Sequence, residues 1–425
     1  MIEKLRGVRD FYPEDYYGRR QIYDTLTRTV RRYGFKEIAT PSIESLEMIT
    51  KKSGDAIVDE IYAFKDKGGR DICLIPELTP SVARMIVSRQ KVLTKPVKWC
   101  SLSRHWRYER PQKGRQREFY QFNVDVFGVR SARADFEILA CGIDCMRELG
   151  LDNFMFHVSN RNILDAFFTS YGVDPKAAFP IVDKRSKVQE DDFREMLGEI
   201  GVDDKCYGRL VSLLEIKGPL HESIPKIAAA LGEGAENASS AIDDLSTLGV
   251  LLDHYGFSKH CMADLSIVRG LAYYTDMVFE VFDKKKSLRS LFGGGRYDNL
   301  IELLGGQSMP AAGFAIGIPI LEILMKEEGI WPQPDFGPEY YIVTIGDVDK
   351  TAIDILSHVR RSHTAEMSLG TTKPSKQLKH ANNIGAKHVI IVGERELADS
   401  NVTLKDLSSG DQQLLSVEEL KKIVA

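Results

Sequence analysis

Arg104-His105-Trp106-Arg107-Tyr108-Glu109-Arg110-Pro111-Gln112-Lys113-Gly114-Arg115-Gln116-Arg117, running directly into Glu118-Phe119-Tyr120-Gln121-Phe122-Asn123-Val124-Asp125-Val126-Phe127, is the stretch on which the reading of this chain turns. Six of the first fourteen residues are Arg or Lys, in a chain whose 57 basic and 61 acidic residues leave it at −4. Pro111 and Gly114 make the middle of that segment a loop. Arginines on a loop offer planar forks for phosphate, and Trp106 and Tyr108 offer faces on which a base could stack. A solvated basic loop has the same composition, so the next ten residues carry the weight. They alternate with period two, placing Gln121, Asn123 and Asp125 on one strand face and Tyr120, Phe122, Val124 and Val126 on the other. A half-exposed antiparallel strand alternates in this way. A face holding a small polar ligand does so too, with a carboxylate ready to accept from an N–H donor.

Working outward, residues 1 to about 170 mix helix and strand signals. Gln21–Tyr33 reads as an amphipathic helix with Ile22, Leu26 and Val30 on one stripe. Gly34 to Pro41 reads as a turn entering a strand, and Ala132–Leu149 as a helix stopped by Gly150. From Lys184 to Gly256 strand signals disappear and short helices are expected at Asp192–Ile200, Tyr207–Ile216 and Ile224–Leu231, so this segment reads as a helical insertion. Trp331–Pro338, with three prolines in eight residues, reads as a linker. Beyond it, apolar strands at Tyr340–Thr344 and His388–Val392 alternate with helices at Thr351–Ser362 and Ser375–Ile384, the pattern of a small α/β domain.

A chain of 425 residues, 43% hydrophobic and 28% charged, is expected to fold as more than one globular core. No apolar run approaches the roughly 18–20 residues that cross a bilayer. Met1–Arg6 has no apolar segment of the leader type. The six cysteines are scattered without a CxxC pair, which points to reduced thiols in a cytoplasmic protein. A net-negative chain can still bind RNA through a local basic patch, and residues 104–117 supply one.

Arg269 stands among apolar neighbours in Leu265-Ser266-Ile267-Val268-Arg269-Gly270-Leu271-Ala272-Tyr273-Tyr274-Thr275, ahead of a strand at Met277–Phe282. A cation there is buried or at a site, and a buried arginine needs an anion. Gly293–Asp298 and Gly313–Gly317 read as glycine-rich turns where backbone can approach a ligand. Neither matches a P-loop or a dinucleotide fingerprint. The nine histidines include no i, i+4 pair, no Gly-x-Ser-x-Gly elbow appears, and no metal site emerges from the sequence. The expected chemistry is therefore binding and charge stabilisation by arginines, with no covalent protein intermediate.

These segments resemble the histidyl-tRNA synthetases, a class II aminoacyl-tRNA synthetase family, in an archaeal-type variant. Arg107–Arg115 is similar to that family's motif 2. Arg269-Gly270-Leu271-Ala272-Tyr273-Tyr274-Thr275 is similar to its histidine signature, Leu5–Phe11 to its N-terminal signature and Thr40–Glu44 to motif 1. Pro76-Glu77-Leu78-Thr79-Pro80 and Gly293–Asp298 match as well, so the likeness covers nearly the whole chain.

The resemblance implies an α+β catalytic domain over residues 1–330 with an antiparallel sheet of six or seven strands, interrupted by the helical insertion at 184–256. It also implies a linker at 331–338, an α/β anticodon-binding domain at 339–425 and a homodimer formed through motif 1. Histidine would be bound by Glu77, Thr79 and Gln121 at its amino group, and by Asp125, Tyr273 and Tyr274 at its imidazole. Arg269 would sit near the carboxylate and the α-phosphate. Arg107, Glu109 and Arg115 would bind ATP, with Arg107 on the α-phosphate and Mg²⁺ on the diphosphate side. Lys113 and Arg117 would meet the acceptor end of tRNA(His). Arg107 and Arg269 are the residues on which catalysis would depend.

Three positions depart from the family pattern. Gly317 is followed by Ile318-Pro319-Ile320-Leu321, so the arginine expected at Ile320 is absent. Ile75 stands where many members have arginine, and Ala272 where bacterial members have aspartate. Two rival readings share part of the pattern: the non-catalytic regulatory subunit of ATP phosphoribosyltransferase, and an RNA-binding module without chemistry. The first generally lacks a C-terminal domain, and the second has no use for Arg269, Glu77 and a polar strand face together.

Overall fold

The computed structural model describes residues 3–53, 59–269, 273–285 and 288–425. They divide into two compact units, Met1–Pro332 and Gln333–Ala425.

Helix α1 (Pro13–Arg32) begins well before the Ile22-Leu26-Val30 stripe. Pro13 fits a first turn whose N–H would have no partner, and Glu14 and Asp15 complement the N-terminal end of the helix dipole. The chain continues through β1 (Lys36–Glu37), β2 (Ile43–Ser45), α2 (Leu46–Ser53), β3 (Ala63–Lys65), β4 (Asp71–Leu74) and α3 (Thr79–Arg89) to the long hairpin β5 (Val97–Trp106) and β6 (Glu118–Phe127). Next come α4 (Ala132–Glu148) and β7 (Phe154–Asn160). Six helices follow: α5 (Arg161–Ser170), α6 (Pro175–Val182), α7 (Glu190–Glu199), α8 (Asp204–Leu214), α9 (Leu220–Leu231) and α10 (Ser239–His254). One two-residue strand, β8 (Lys217–Gly218), lies within this segment, where the sequence shows no strand signal; two residues carry no periodicity to read. Strands β9 (Cys261–Asp264), β10 (Met277–Asp283) and β11 (Phe292–Arg296), helix α11 (Leu300–Leu303), strand β12 (Ala311–Gly317) and helix α12 (Ile318–Glu327) complete the unit.

The main sheet has nine strands in the order β1-β5-β6-β12-β11-β10-β7-β9-β8. Its centre, β5 to β7, is antiparallel as expected. Parallel pairings of β1 with β5 and of β7 with β9 widen it beyond six or seven strands. Two segments expected to be glycine turns are interior strands instead, β11 and β12. A Cβ on Gly294 would stand 2.2 Å from the Gly313 carbonyl oxygen, so only bare backbone lets these strands pack.

The register sorts the sheet into two unlike faces. Cys100, Phe122, Val124, Phe314, Ile316, Phe292, Phe279, Val281, Phe156 and Val158 lie on one, packed under Ile22, Leu26 and Val30 of α1 and Ile138 and Leu139 of α4. That face is the core of the unit, each buried large apolar side chain contributing about 1.5–3 kcal/mol. The other face is small and polar. A separate sheet, β2-β4-β3, lies before it in the chain.

The second unit carries β13 (Tyr340–Ile345), α13 (Asp349–Val359), β14 (Ala365–Met367), α14 (Pro374–Asn383), β15 (His388–Gly393), α15 (Glu394–Ala398), β16 (Asn401–Asp406), β17 (Gln412–Ser416) and α16 (Val417–Ile423). Its sheet runs β14-β13-β15-β16-β17, parallel across the first three strands and antiparallel beyond. The α/β alternation read from the sequence is there.

Candidate active site

Across the polar face the register aligns Ser103, Gln121 and Gly317 in one row, and Ser101, Asn123, Ala315, Gly293, Glu280 and His157 in the next. A third row holds Trp99, Asp125, Gly313, Gly295, Val278 and Ser159. The middle strands present almost no side chain, while the flanking strands present acids, amides and hydroxyls. This is a bare floor with polar walls.

Each wall is held by neighbours. Tyr297, just past β11, donates its hydroxyl to Asp125, which is 3% exposed. Burial first, and then that carboxylate, hold the Tyr297 phenol well above its ordinary pKa, so it remains a donor. Tyr297 also packs edge-on against Tyr273 and Tyr274, at 5.8 and 6.4 Å between centroids. Gly313 makes this possible: a Cβ there would come within 2.5 Å of the Tyr297 hydroxyl and 2.6 Å of Asp125 Oδ1.

At the other end of β6, Gln121 Oε1 lies 2.8 Å from His105 Nδ1, and His105 Nε2 lies 2.7 Å from Ser103 Oγ. Burial, reinforced by Arg107, lowers the His105 pKa to about 3, so the ring is neutral, with one donor and one acceptor nitrogen. As placed, Gln121 Oε1 accepts from His105 Nδ1–H and His105 Nε2 accepts from the Ser103 hydroxyl, and a half-turn of the Gln121 amide would reverse the chain. Its direction sets whether Gln121 turns its carbonyl or its NH₂ toward the floor.

Arg269 adopts a left-handed backbone, φ 57°, which is costly for any residue but glycine and is found at sites that need a fixed side chain. Its guanidinium pairs with Glu280 and lies 5.8 Å from the Tyr274 ring centroid. It rests on Gly293, where a Cβ would stand 2.7 Å from Arg269 Nη1. Burial alone would lower its pKa, but Tyr274 and Glu280 outweigh that, so Arg269 stays charged. Glu280 is the anion the sequence argument requires.

Glu77, 6% exposed, precedes α3, and Thr79 opens that helix. The Glu77 carboxylate is close enough to act on both Tyr273 and His105: after burial and Tyr274 it adds to the raised pKa of the Tyr273 phenol, and at His105 it offsets only part of the lowering by burial and Arg107. Arg107 donates from Nε to the carbonyl oxygen of Pro76, the residue before Glu77, at 2.9 Å. Glu77 thus stands between the Arg107 end and the Tyr273–Arg269 end. Four polar atoms on or over this floor, Ser101 Oγ, Asn123 Oδ1, Ser159 Oγ and Arg269 Nε, are buried without a hydrogen-bond partner among the described residues. Buried groups left unpaired cost about 1–3 kcal/mol each, which a polar ligand would recover.

The basic loop is more tied down than its composition suggests. Gln112 and Arg115 bridge across Gly114 at φ +73°. Glu109 takes Arg115 at 3.3 Å and Arg107 at 3.9 Å. Lys113 pairs with Glu327 at 2.6 Å, away from the floor. Arg117 lies 3.9 Å from the Tyr108 ring centroid, so the face expected to be open for a base is covered by the chain's own guanidinium. Trp106, also expected to offer a face, packs instead against the apolar cluster around Leu78, Val82 and Tyr297. Ile75 is buried in that same cluster. Gly270, Leu271 and Ala272 lie outside the described residues. Among the described residues no group of three or more His, Cys, Asp or Glu side chains could hold a metal ion.

The family model for histidyl-tRNA synthetase matches residues 7–321, and that for the anticodon binding domain matches residues 339–425. The chain belongs to the histidyl-tRNA synthetase family. It is 42% identical to the histidine–tRNA ligase of Haloquadratum walsbyi over 98% of its own length and 96% of that protein's. Identity to the Pyrococcus horikoshii histidine–tRNA ligase is 40%, over 99% and 98%. A histidyl-tRNA synthetase structure from Nostoc sp. PCC 7120 superposes with a TM-score of 0.83, at 24% identity, over 100% of this chain and 99% of that one, which speaks to the fold.

In this histidyl-tRNA synthetase, three residues that hold the walls of the floor, Tyr297, His105 and Glu280, are not singled out by the sequence. Tyr297 and His105 act through other side chains and leave no local pattern. Glu280 did leave one, as the lone interior carboxylate of an apolar strand.

Proposed function

We propose that the chain activates L-histidine with ATP to histidyl-adenylate and diphosphate, then transfers histidine to the 3′ end of tRNA(His), releasing AMP. The observation that carries this is the glycine floor, walled by Asp125, Asn123 and Gln121 on one side and by Arg269 with Glu280 on the other. Asp125, fixed by Tyr297, accepts from an imidazole N–H, and Tyr273 and Tyr274 close that end. Glu77, Thr79 and Gln121 take the ammonium group. For that, the Gln121 amide rotates from the orientation in which Oε1 accepts from His105, so that its carbonyl turns outward, its NH₂ donates to His105 and His105 donates to Ser103.

The histidine carboxylate oxygen forms a bond to the α-phosphorus as the bond to the diphosphate oxygen breaks. Negative charge spreads over the equatorial oxygens, where Arg107 and Arg269 offer preplaced donors. Glu109 and Arg115 contribute to the nucleotide side. Mg²⁺ would travel with the triphosphate and screen its charge. In the second step the terminal adenosine hydroxyl attacks the mixed anhydride and gives its proton to a phosphate oxygen of the adenylate. Lys113 and Arg117 guide the acceptor end by exchanging their present partners for phosphate.

Residues 339–425 read the anticodon, and residues 184–256 form an insertion in a catalytic domain of residues 1–330, joined by a linker at 331–338. The enzyme is a homodimer through the segment around Thr40–Glu44. Supporting this, Ile43 and Phe64 are each 46% exposed on one face of the β2-β4-β3 sheet. A cytoplasmic location is supported by six buried cysteines, all free.

The test is Arg269→Ala in histidine-dependent ATP–diphosphate exchange. Loss of one such donor should lower the rate roughly 100- to 1,000-fold, with the circular dichroism spectrum unchanged. Exchange at the wild-type rate would overturn the assignment.

A further inference from the structure

The corner of the site around Glu109 is electrostatically unbalanced. Arg115 reaches Glu109 Oε2 at 3.3 Å and Arg107 reaches Oε1 at 3.9 Å. A third guanidinium arrives from an unrelated part of the chain, the connection between β10 and β11: Arg289 donates from Nη2 to the Gly114 carbonyl oxygen at 2.8 Å. Three cations therefore surround one carboxylate. Arg289 has no carboxylate partner among the described residues, and it lies near enough to Arg115 to be disfavoured by it, in addition to the penalty of partial burial. Three cations sharing the single counterion Glu109 leave an excess of positive charge, a standing cost that a polyanion removes.

The placement is also informative. A Cβ on Gly114 would meet Ile320 Cδ1 at 3.0 Å and Arg289 Nη2 at 3.6 Å, so Arg289 and Ile320 share one small space beside the motif 2 loop. Ile320 is 5% exposed and packed in the main core, so nothing polar comes from α12 at this point. The cation at this corner comes from the β10–β11 connection.

We propose that Arg289 binds the outer phosphates of ATP, closing on them opposite Arg115 across the Glu109 corner. The inference rests on the proposed activation of histidine by ATP at this site. A guanidinium is suited to the task because its planar N–H fork bonds two phosphate oxygens at once, and one of its donors is already anchored on Gly114.

The test compares nucleotides of different length on the full chain. Dissociation constants of ATP, ADP and AMP would be measured by calorimetry for wild type, Arg289→Ala and Arg289→Gln. The glutamine variant keeps an N–H donor for the Gly114 carbonyl but loses the charge. Both variants should weaken ATP roughly ten- to a hundredfold, the range of one charged hydrogen bond, weaken ADP in the same direction, and leave AMP unchanged. Equal weakening of all three nucleotides, or no change for ATP, would overturn the role of Arg289. Wild-type protein that binds no ATP would sink the activation reading itself, and the proposal with it.

Discussion

Tyr297 donates to Asp125 and so commits one of the lone pairs on the carboxylate proposed to read the imidazole. Tyr297→Phe keeps the ring that packs against Phe127, Tyr273 and Tyr274 but removes the donor. The KM for histidine should rise roughly tenfold, the worth of one hydrogen bond to a charged group, while the KM for ATP holds. An unaltered histidine KM in exchange kinetics would show that this bond does not shape the pocket. At this scale the sequence was informative about residues with a local signature. Gln121, Asn123 and Asp125 share a face by strand periodicity, and Arg269 stands out as a cation among apolar neighbours. Tyr297 lies 172 positions from its partner, and no local pattern reports a contact that the fold alone creates.

Glycines are the lesson at the level of elements. Gly293–Asp298 and Gly313–Gly317 read as turns because glycine usually marks them, yet these residues form the two central strands. Their lack of side chains serves the floor and close strand packing rather than a change of direction. Gly313→Ala is the sharpest probe. Its methyl would come within 2.5 Å of the Val124 carbonyl oxygen and of the Tyr297 hydroxyl. The variant should be destabilised by about 1–3 kcal/mol, the usual cost of overpacking, with weakened histidine binding. A chemical-denaturation midpoint equal to wild type would contradict that packing. Helices were legible in kind and loose at their ends: the α1 stripe of Ile22, Leu26 and Val30 marks only the buried half of a helix that starts at Pro13. The edge pairings of β1 and β8 involve two residues each, too few for any pattern.

For the whole molecule, the two compact units are Met1–Pro332 and Gln333–Ala425, and the second carries the α/β sheet β14-β13-β15-β16-β17. The family models match both units, at residues 7–321 and 339–425, and the similar histidine–tRNA ligases span nearly the full length of the chain. The chemistry assigned to it depends on a floor that only distant segments, brought together by the sheet, can build. Histidine-dependent exchange of labelled diphosphate into ATP, run on the intact chain with each of the twenty amino acids in turn, tests this most directly. Histidine should support exchange at least ~10⁴-fold better than apolar amino acids, which would leave the buried carboxylate and phenols unpaired. Exchange that is absent, or that another amino acid supports equally well, would contradict it.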